Sequence, residues 1–195
     1  INYTSEEIDS LKSLINKKRE ELRKIEASQV NGKDIKDVLN EEVDNTKMAS
    51  GLMDLEGPGI VITLKDNQSE EIVGPSIEDD LVHDYDVLTI VNDLRAAGAE
   101  AISVNGQRII NITEVKCGGP IVRINGKSVG TPFEIKAIGD PKVLNASINA
   151  PGTYGYILKN YYKIFIETSI EDEVFIPSYN REPKFQFANP IKEGE

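Results

Sequence analysis

The residues of this chain that are best suited to bind a partner are five amide and guanidinium side chains within a short stretch. They are Asn92, Arg95, Asn105, Gln107 and Arg108. An arginine presents a planar fork of donors that matches a carboxylate, and an amide both donates and accepts hydrogen bonds. Asn92 and Arg95 lie about one helical turn apart, so both can reach the same ligand. The set predicts a binding surface for a protein segment or an anionic small molecule.

A second interpretation gives the same five side chains a structural role. Polar side chains near turns most often satisfy neighbouring backbone groups. The arginines could also pair with Glu100, which lies between the two halves of the set. On this interpretation the cluster fixes a tight corner where a helix turns into a strand. The sequence favours this structural role and leaves an additional docking surface open.

Other residues with chemical potential lack the partners that chemistry requires. Cys117 has no histidine near it in sequence, and a reactive thiolate needs a basic or cationic neighbour. His83 with Asp84 and Asp86 could supply half of a metal site, but these carboxylates are also placed to cap the helix that follows. No glycine pattern has the spacing of a dinucleotide or phosphate loop. We therefore expect no catalytic residue, no metal and no cofactor.

The charge of the chain limits its partners. With 22 basic and 33 acidic residues, the net charge is −11, which repels phosphate backbones and anionic lipid surfaces. Nucleic acid is therefore not an expected partner. No apolar run approaches the roughly 20 residues that span a bilayer. Because the chain begins at Ile1 rather than Met, we expect it to be a trimmed piece of a longer protein whose removed beginning held a signal or an anchor.

Residues 1–50 are predicted to form a helical arm with a partial coiled coil. Lys18 interrupts a heptad seam in residues 5–31, and a weaker helical period follows it. A helix packed along its own domain and a stalk that pairs with another copy explain the pattern equally well. The apolar positions of the two stretches are Ile8, Leu11, Ile15, Leu22, Ile25, Ile35, Leu39 and Val43.

Residues 51–179 are predicted to form an α+β globular domain, and residues 180–195 a tail. The glycines around Pro58 mark the boundary after the arm. Period-2 and period-3.6 patterns then alternate along the chain. The predicted strands are 60–66, 101–105, 121–129 (a hairpin), 132–139, 161–169 and 173–179, and the predicted helices are 86–97 and 141–150. This order predicts a ferredoxin-like sandwich with a mostly antiparallel sheet and two main helices, preceded by the helical arm.

Three strings within the domain resemble a bacterial family of unknown function that is often labelled "division initiation protein". They are GPGIVITLKD, VHDYDVLTIVNDLRAAGAEAISVNGQRI and CGGPIVRINGKSVGTPFEIKAIGDPKVL, and the match covers roughly residues 30–179. The resemblance implies a short cytoplasmic start, one membrane-spanning helix, a coiled coil and then this domain outside the membrane. It also implies a gene near cell-division and cell-wall genes. It implies no catalytic residues.

These observations predict a non-enzymatic, extracytoplasmic interaction module. The resemblance implies a single-pass location at the cell membrane, through a segment absent from this chain, and protein partners in the cell envelope or division machinery. The N-terminal helix could also join two copies into a homo-oligomer. The alternative is a small-ligand sensor or cryptic enzyme that uses Asn92, Arg95, Asn105 and Arg108.

Overall fold

The structure, a computed structural model, describes residues 13, 15–20, 23, 35–67, 80–118, 121–181 and 186–189. The chain divides into two units, Ile1–Ala49 and Ser50–Glu195. In the first unit, residues 15–20 are helical and helix α1 spans Ile35–Ala49. Ile15 alone of the five seam residues before residue 32 lies in the described part, so the coiled coil stays a prediction. None of the helices in the described residues has the length and hydrophobicity that crossing a membrane requires.

The second unit alternates strands and helices in its described residues. In chain order these are β1 Leu55–Lys65, α2 Asp84–Ala96, β2 Ala101–Val104, β3 Gln107–Arg108, β4 Val115–Cys117, β5 Val122–Ile124, β6 Lys127–Val129, β7 Phe133–Ile138, α3 Pro141–Asn149, α4 Tyr154–Asn160 and β8 Phe165–Ile176. The predicted α+β class with antiparallel sheets and several helices is therefore confirmed.

The strands form two sheets. The larger sheet has the order β3-β2-β7-β1-β8, and every neighbouring pair in it is antiparallel. The connection from β1 through α2 to β2 passes over the position of β7, and the connection from β7 through α3 and α4 to β8 passes over β1. The smaller sheet, β4-β5-β6, consists of consecutive antiparallel strands. Its hairpin turn is Asn125-Gly126, and both residues have the positive φ that the sequence predicts (50° and 70°).

The main core lies between the larger sheet and the three helices. Alternate residues of a strand point to the same face, and in β1 the side chains of Ile60, Ile62 and Leu64 are fully buried on the helical side. They belong to one apolar cluster with Leu94 of α2 and Leu144 of α3. Burial of each such side chain stabilises the fold by about 1.5–3 kcal/mol. A second cluster lies apart from this core and comprises Leu55, Val61, Ala101, Ile138, Val174 and Ile176.

Helix α2 follows its predicted pattern, but its N-terminal cap differs. The N-cap residue is His83, whereas the sequence assigned this role to Asp84 or Asp86. Asp86 occupies the third helical position, where its carboxylate accepts a hydrogen bond from the backbone N–H of His83 at 2.7 Å. At the other end, Gly98 has φ +88°, the left-handed conformation that glycine commonly adopts just after the end of a helix.

The structure differs from the predicted elements in several places, which include the unpredicted short strands β3 and β4. Strand β1 begins at Leu55 rather than at residue 60, because Pro58 lies at a register shift in the strand, where its missing N–H breaks no ladder bond. The two strands predicted at 161–169 and 173–179 are one strand, β8, since its acidic residues are exposed and need not be desolvated. Helix α4 was not predicted, so the second unit has three described helices instead of two.

Candidate functional site

Asn105 is held in a turn by its own side chain. With Gly106 it forms the β2–β3 turn, and both residues have positive φ (45° and 70°). The side-chain Oδ1 accepts a hydrogen bond from the N–H of Glu134 at 3.0 Å, and Nδ2 donates to the carbonyl of Pro132 at 3.1 Å. The amide of Asn105 therefore fastens the turn to the start of β7, which is the structural role that short polar side chains commonly take in turns.

Arg108 is a buried clamp on the two ends of the domain. Only 4% of its surface is exposed, and its Nη1 donates to the carbonyls of Met53 at 3.1 Å and Pro177 at 3.4 Å. Burial lowers the pKa of Arg108, while the carboxylate of Asp54 opposes that shift. The carbonyl of Arg108 accepts from Nδ2 of Asn125 at 2.9 Å. The side chain thus joins β3 to the segment that enters the domain and to the segment that leaves it.

The remaining three predicted binding residues divide between two environments. Gln107 is buried, and it pairs with Val104 in the β2–β3 ladder. Asn92 and Arg95 are exposed on α2, and within the described residues no hydrogen bond or ion pair engages either side chain. The structure therefore brings Asn105, Gln107 and Arg108 onto one hairpin, without a described bond from that hairpin to the α2 pair. A binding role for the five residues stays a prediction.

A group of tyrosines forms the feature that the sequence interpretation missed. Four of the seven tyrosines lie in the nine-residue stretch YGYILKNYY, residues 154–162, which includes α4. A fifth, Tyr85, contacts Tyr154 edge to face, with their ring centroids 5.9 Å apart. We call Tyr85, Tyr154, Tyr156, Tyr161 and Tyr162 the tyrosine surface. The crowding of tyrosines is visible in the sequence, but the strand predicted at 161–169 includes Tyr161 and Tyr162, which precede β8 in the structure.

A buried carboxylate anchors the tyrosine surface to the start of α2. The hydroxyl of Tyr154 donates to Oδ1 of Asp86 at 2.6 Å, and Asp86 is only 7% exposed. Burial raises the pKa of Tyr154, and the hydrogen bond to Asp86 and the nearby Tyr85 and Tyr162 raise it further. Because Asp86 also accepts a hydrogen bond from the N–H of His83, the N-cap residue, the position of the tyrosines is coupled to the N-terminus of α2.

The outer part of the tyrosine surface is a cleft without charged residues. The cleft has a volume of about 430 Å³ and is lined by Gly152, Tyr156, Ile157, Tyr161 and Tyr162. Tyr161 is 67% exposed and Tyr85 is 64% exposed. Such side chains combine a large apolar area with a polar tip, so the cleft can accept an apolar or ring-shaped group and hydrogen-bond its edge.

The candidates for catalysis and metal binding have structural partners instead. Oδ2 of Asp84 accepts from the backbone N–H of Cys117 at 2.8 Å, and Nδ1 of His83 lies 3.7 Å from Oδ2 of Asp86. Cys117 is exposed. Within the described residues, no group of three or more histidine, cysteine or acidic side chains has the arrangement of a metal site.

Comparison with known proteins gives relatives of unknown function. UPF0749 protein YlxW of Bacillus subtilis (strain 168) is 37% identical over 112 residues, covering 57% of this chain and 48% of that protein. UPF0749 protein Mb1856 of Mycobacterium bovis (strain ATCC BAA-935 / AF2122/97) is 30% identical over 146 residues, covering 73% of this chain and 46% of that protein. The chain therefore spans about half the length of the curated relatives it matches.

A solved structure and a family model agree with these relatives. The crystal structure of an uncharacterized conserved protein from Mycobacterium tuberculosis matches with a TM-score of 0.61 and 26% identity, over 77% of this chain and 99% of that chain. A model of the family described as "Bacterial protein of unknown function (DUF881)" matches residues 42–189. This chain belongs to the bacterial DUF881 family of proteins of unknown function.

Proposed function

We propose that this chain is the extracytoplasmic part of a membrane-tethered protein, and that it acts by binding other proteins of the cell envelope or division machinery rather than by catalysis. The tyrosine surface is the observation that carries this proposal. Aromatic residues are enriched and charged residues are depleted at the centres of protein interfaces, where a few well-placed tyrosines supply much of the binding energy. The uncharged cleft around Tyr161 and Tyr162 has this composition.

The anchoring of the surface also suits a docking role. A tyrosine that is already held in place loses little conformational freedom on binding. Tyr154 is fixed by Asp86 and by its ring contact with Tyr85, so part of the surface is ordered before any partner arrives. Tyr85 and Tyr161 meanwhile keep most of their area accessible. This combination supports a preformed site for a protein partner.

The alternative function, a small-ligand sensor or cryptic enzyme, needs free polar groups around one cavity. Asn105 and Arg108 instead direct their side chains to backbone groups of Pro132, Met53 and Pro177. The described cleft is lined by none of the residues that this function would use. These observations favour the interaction module.

The tether, the stalk and the finer fold class belong to the same proposal. The curated relatives are about twice as long as the part that this chain matches, which leaves room in them for an anchor. We propose that the seam of residues 5–31 forms a coiled coil that can join two copies, and that the family's "division initiation" label describes its role. The strand order β2-β7-β1-β8, with helices in both long connections, supports a ferredoxin-like domain.

Crosslinking in the living bacterium tests the docking role. A photoreactive amino acid replaces Tyr161 in the full-length protein, and a second version carries it at Glu100, beyond the opposite end of α2 from Tyr85. We expect the Tyr161 position to capture a discrete envelope protein and the exposed Glu100 position not to capture it. The double substitution Y85A/Y162A should abolish the product. Equal products from both positions would contradict the proposal.

Protease accessibility tests the location. The full-length protein should sediment with membranes, and protease added to intact protoplasts should remove this domain. A domain that is digested only after the protoplasts are lysed would contradict an extracytoplasmic location. Fractionation therefore separates a failure of the location from a failure of the tyrosine surface.

A further inference from the structure

Strand β8 is one of the two outer strands of the larger sheet. It is twelve residues long, and within the described residues it pairs only with β1. Residues Phe165, Ile170 and Phe175 are large, apolar and exposed along it. An edge strand of this length is a template on which another extended chain can add hydrogen bonds, and proteins usually protect such edges.

The ladder shows which backbone groups of β8 face outward. In an antiparallel sheet, successive residues direct their N–H and C=O groups alternately to the two sides of the strand. In β7, the carbonyl of Glu134 accepts a hydrogen bond from the N–H of Asn105, and the carbonyl of Ile138 accepts one from Glu100. Both donors directly flank β2, so these two carbonyls face β2. The alternating residue Ile135 must therefore bond to β1, where its partner is Ile62. It follows that the backbone N–H and C=O groups of Ile62, and of every second residue from it in β1, face β7.

The intervening residues of β1 consequently bond to β8. Val61 is one of these, and its partner in β8 is Ser169. The residues that alternate with Ser169 must then direct their backbone groups away from β1. They are Ile166, Thr168 and Ile170, and no described residue donates to or accepts from their backbone groups. Strand addition needs a row of backbone N–H and C=O groups that face outward, and these three alternate residues supply such a row.

The charge of β8 selects the kind of chain that can add to it. The strand carries four exposed carboxylates and no basic residue, and these acids are Glu167, Glu171, Asp172 and Glu173. Within the described residues, none of the four forms an ion pair. Antiparallel pairing of β8 with the β8 of a second copy would bring two acidic runs together, which is unfavourable for like charges on adjacent strands. A basic chain would be attracted instead.

A crowded pair of carboxylates at the register shift agrees with this selection. The pKa of Glu56, in β1, is raised by its hydrogen bond with Glu173 and by the charge of that residue. A lysine or arginine brought by a partner would relieve this repulsion. Within the described residues, the edge therefore combines backbone groups without a partner, exposed apolar side chains and carboxylates without an ion pair.

We propose that β8 accepts an extended, lysine- or arginine-rich segment of a partner protein as a sixth strand of the larger sheet. This surface goes beyond the tyrosine surface and is carried by different residues. Main-chain hydrogen bonds to Ile166, Thr168 and Ile170 supply the affinity. The acidic side chains of β8 supply the selectivity for a basic segment, and they also keep two copies of the domain from joining at this edge.

A model peptide tests the proposal on the full 195-residue chain. The probe is a peptide as long as β8 in which lysine and valine alternate, and its control has the same sequence with every backbone nitrogen methylated, so that neither edge can donate hydrogen bonds. We expect the probe to bind, with an affinity that falls as salt is added, and to slow the hydrogen exchange of the amides of Ile166, Thr168 and Ile170. The methylated peptide should not bind, because it cannot complete the ladder.

Matched substitutions separate edge pairing from general attraction. I170P removes one outward N–H and should weaken probe binding by about tenfold or more, whereas I170T keeps the N–H and should bind normally. Thermal unfolding establishes that both variants are folded. The variant Y161A should bind the probe as the unchanged protein does, so the test does not depend on the tyrosine surface.

Three results would overturn the proposal. The first is equal binding of the probe and the methylated control. The second is equal binding by I170P and I170T. The third is slow exchange at Ile166, Thr168 and Ile170 without the probe, together with a dimeric mass by light scattering, because a second copy would then occupy the edge.

Discussion

Nη1 of Arg108 lies 3.1 Å from the carbonyl oxygen of Met53, a residue 55 positions earlier in the chain. The same nitrogen also donates to Pro177, so one guanidinium holds the entry and the exit of the domain against β3. Nearby, the N–H of Tyr179 donates to the carbonyl of Gly51 at 2.8 Å, and the N–H of Ser178 donates to Asp54 at 2.6 Å. Arg108 therefore closes the domain at its two ends.

Arg108→Ala should lower the free energy of unfolding by about 2–4 kcal/mol, because it leaves two carbonyls without their buried charged donor. Urea denaturation measures the change. The matched control is Arg95→Ala, since Arg95 is exposed and has no described partner, and its effect should stay within about 0.5 kcal/mol. Equal effects of the two substitutions would show that Arg108 does not act as a clamp.

Tyr154→Phe should destabilise the domain by about 1–3 kcal/mol, because Asp86 would lose a hydrogen-bond donor in a buried position. Tyr156→Phe is the control, since no described hydrogen bond involves its hydroxyl, and its effect should be within about 0.5 kcal/mol. Denaturant unfolding of the two variants at neutral pH measures both values. A similar loss in both would indicate that ring packing, rather than the bond to Asp86, holds the surface.

The effect of Tyr154→Phe on stability should depend on pH. Burial and the bond to Asp86 raise the pKa of Tyr154 in the folded protein above its ordinary value of 10.0. An acid whose pKa is raised by folding stabilises the fold at pH values below its pKa in the unfolded chain. This contribution is lost as the pH rises through its pKa in the folded protein. The loss in free energy of unfolding caused by Tyr154→Phe should therefore be constant around neutral pH and should become smaller above pH 10. An unchanged deficit in alkali would contradict the raised pKa.

Local patterns predicted the elements that depend on local physics. The apolar spacing of Val87, Ile90 and Leu94 predicts α2, because a period of 3.6 residues places them on one helical face. Asn125-Gly126 predicts the hairpin turn, since both residues tolerate positive φ. Asp140 caps α3 through bonds to the next turn, as the sequence indicates. In each case a few neighbouring residues determine the conformation.

Contacts between residues that are far apart in the sequence could not be predicted from local patterns. The carbonyls that Arg108 binds are 55 and 69 positions away, so the sequence around Arg108 indicates a polar residue near a turn and nothing about a buried clamp. The tyrosine surface similarly combines α4 with Tyr85, which is brought near only by the packing of α2. The acidic run separates the two strands predicted at 161–169 and 173–179, yet it lies within β8, because its side chains stay exposed at the edge of the sheet.

Glu173→Gln should raise the thermal midpoint at neutral pH. Glu173 raises the pKa of Glu56 above its ordinary value of 4.5, which means that the two charges repel each other in the folded state. The raised pKa stabilises the fold at pH below 4.5, and this contribution is lost as the pH rises. At neutral pH the repulsion between the two carboxylates therefore lowers the stability of the fold. The gain from the substitution should therefore disappear in acid.

Glu167→Gln is the control for the change in net charge. Glu167 is exposed in the same strand and lies outside the Glu56–Glu173 pair, so the substitution should give a smaller gain at neutral pH. Thermal unfolding followed by circular dichroism at neutral and acid pH compares the variants. Equal gains would attribute the effect to overall charge instead of the pair.

Gly59→Ala should destabilise the domain by at least about 3 kcal/mol, because a Cβ at this position would collide with the backbone carbonyl oxygen of Ala137 in β7. The two central strands would have to move apart, and a backbone oxygen cannot rotate away as a side chain can. Gly130→Ala is the matched control, since nothing lies within 4 Å of its added Cβ, and it should be neutral or stabilise by up to about 1 kcal/mol. Urea unfolding of both variants tests the register of β1 against β7, and a Gly59→Ala protein as stable as Gly130→Ala would show that the two strands are not so closely paired.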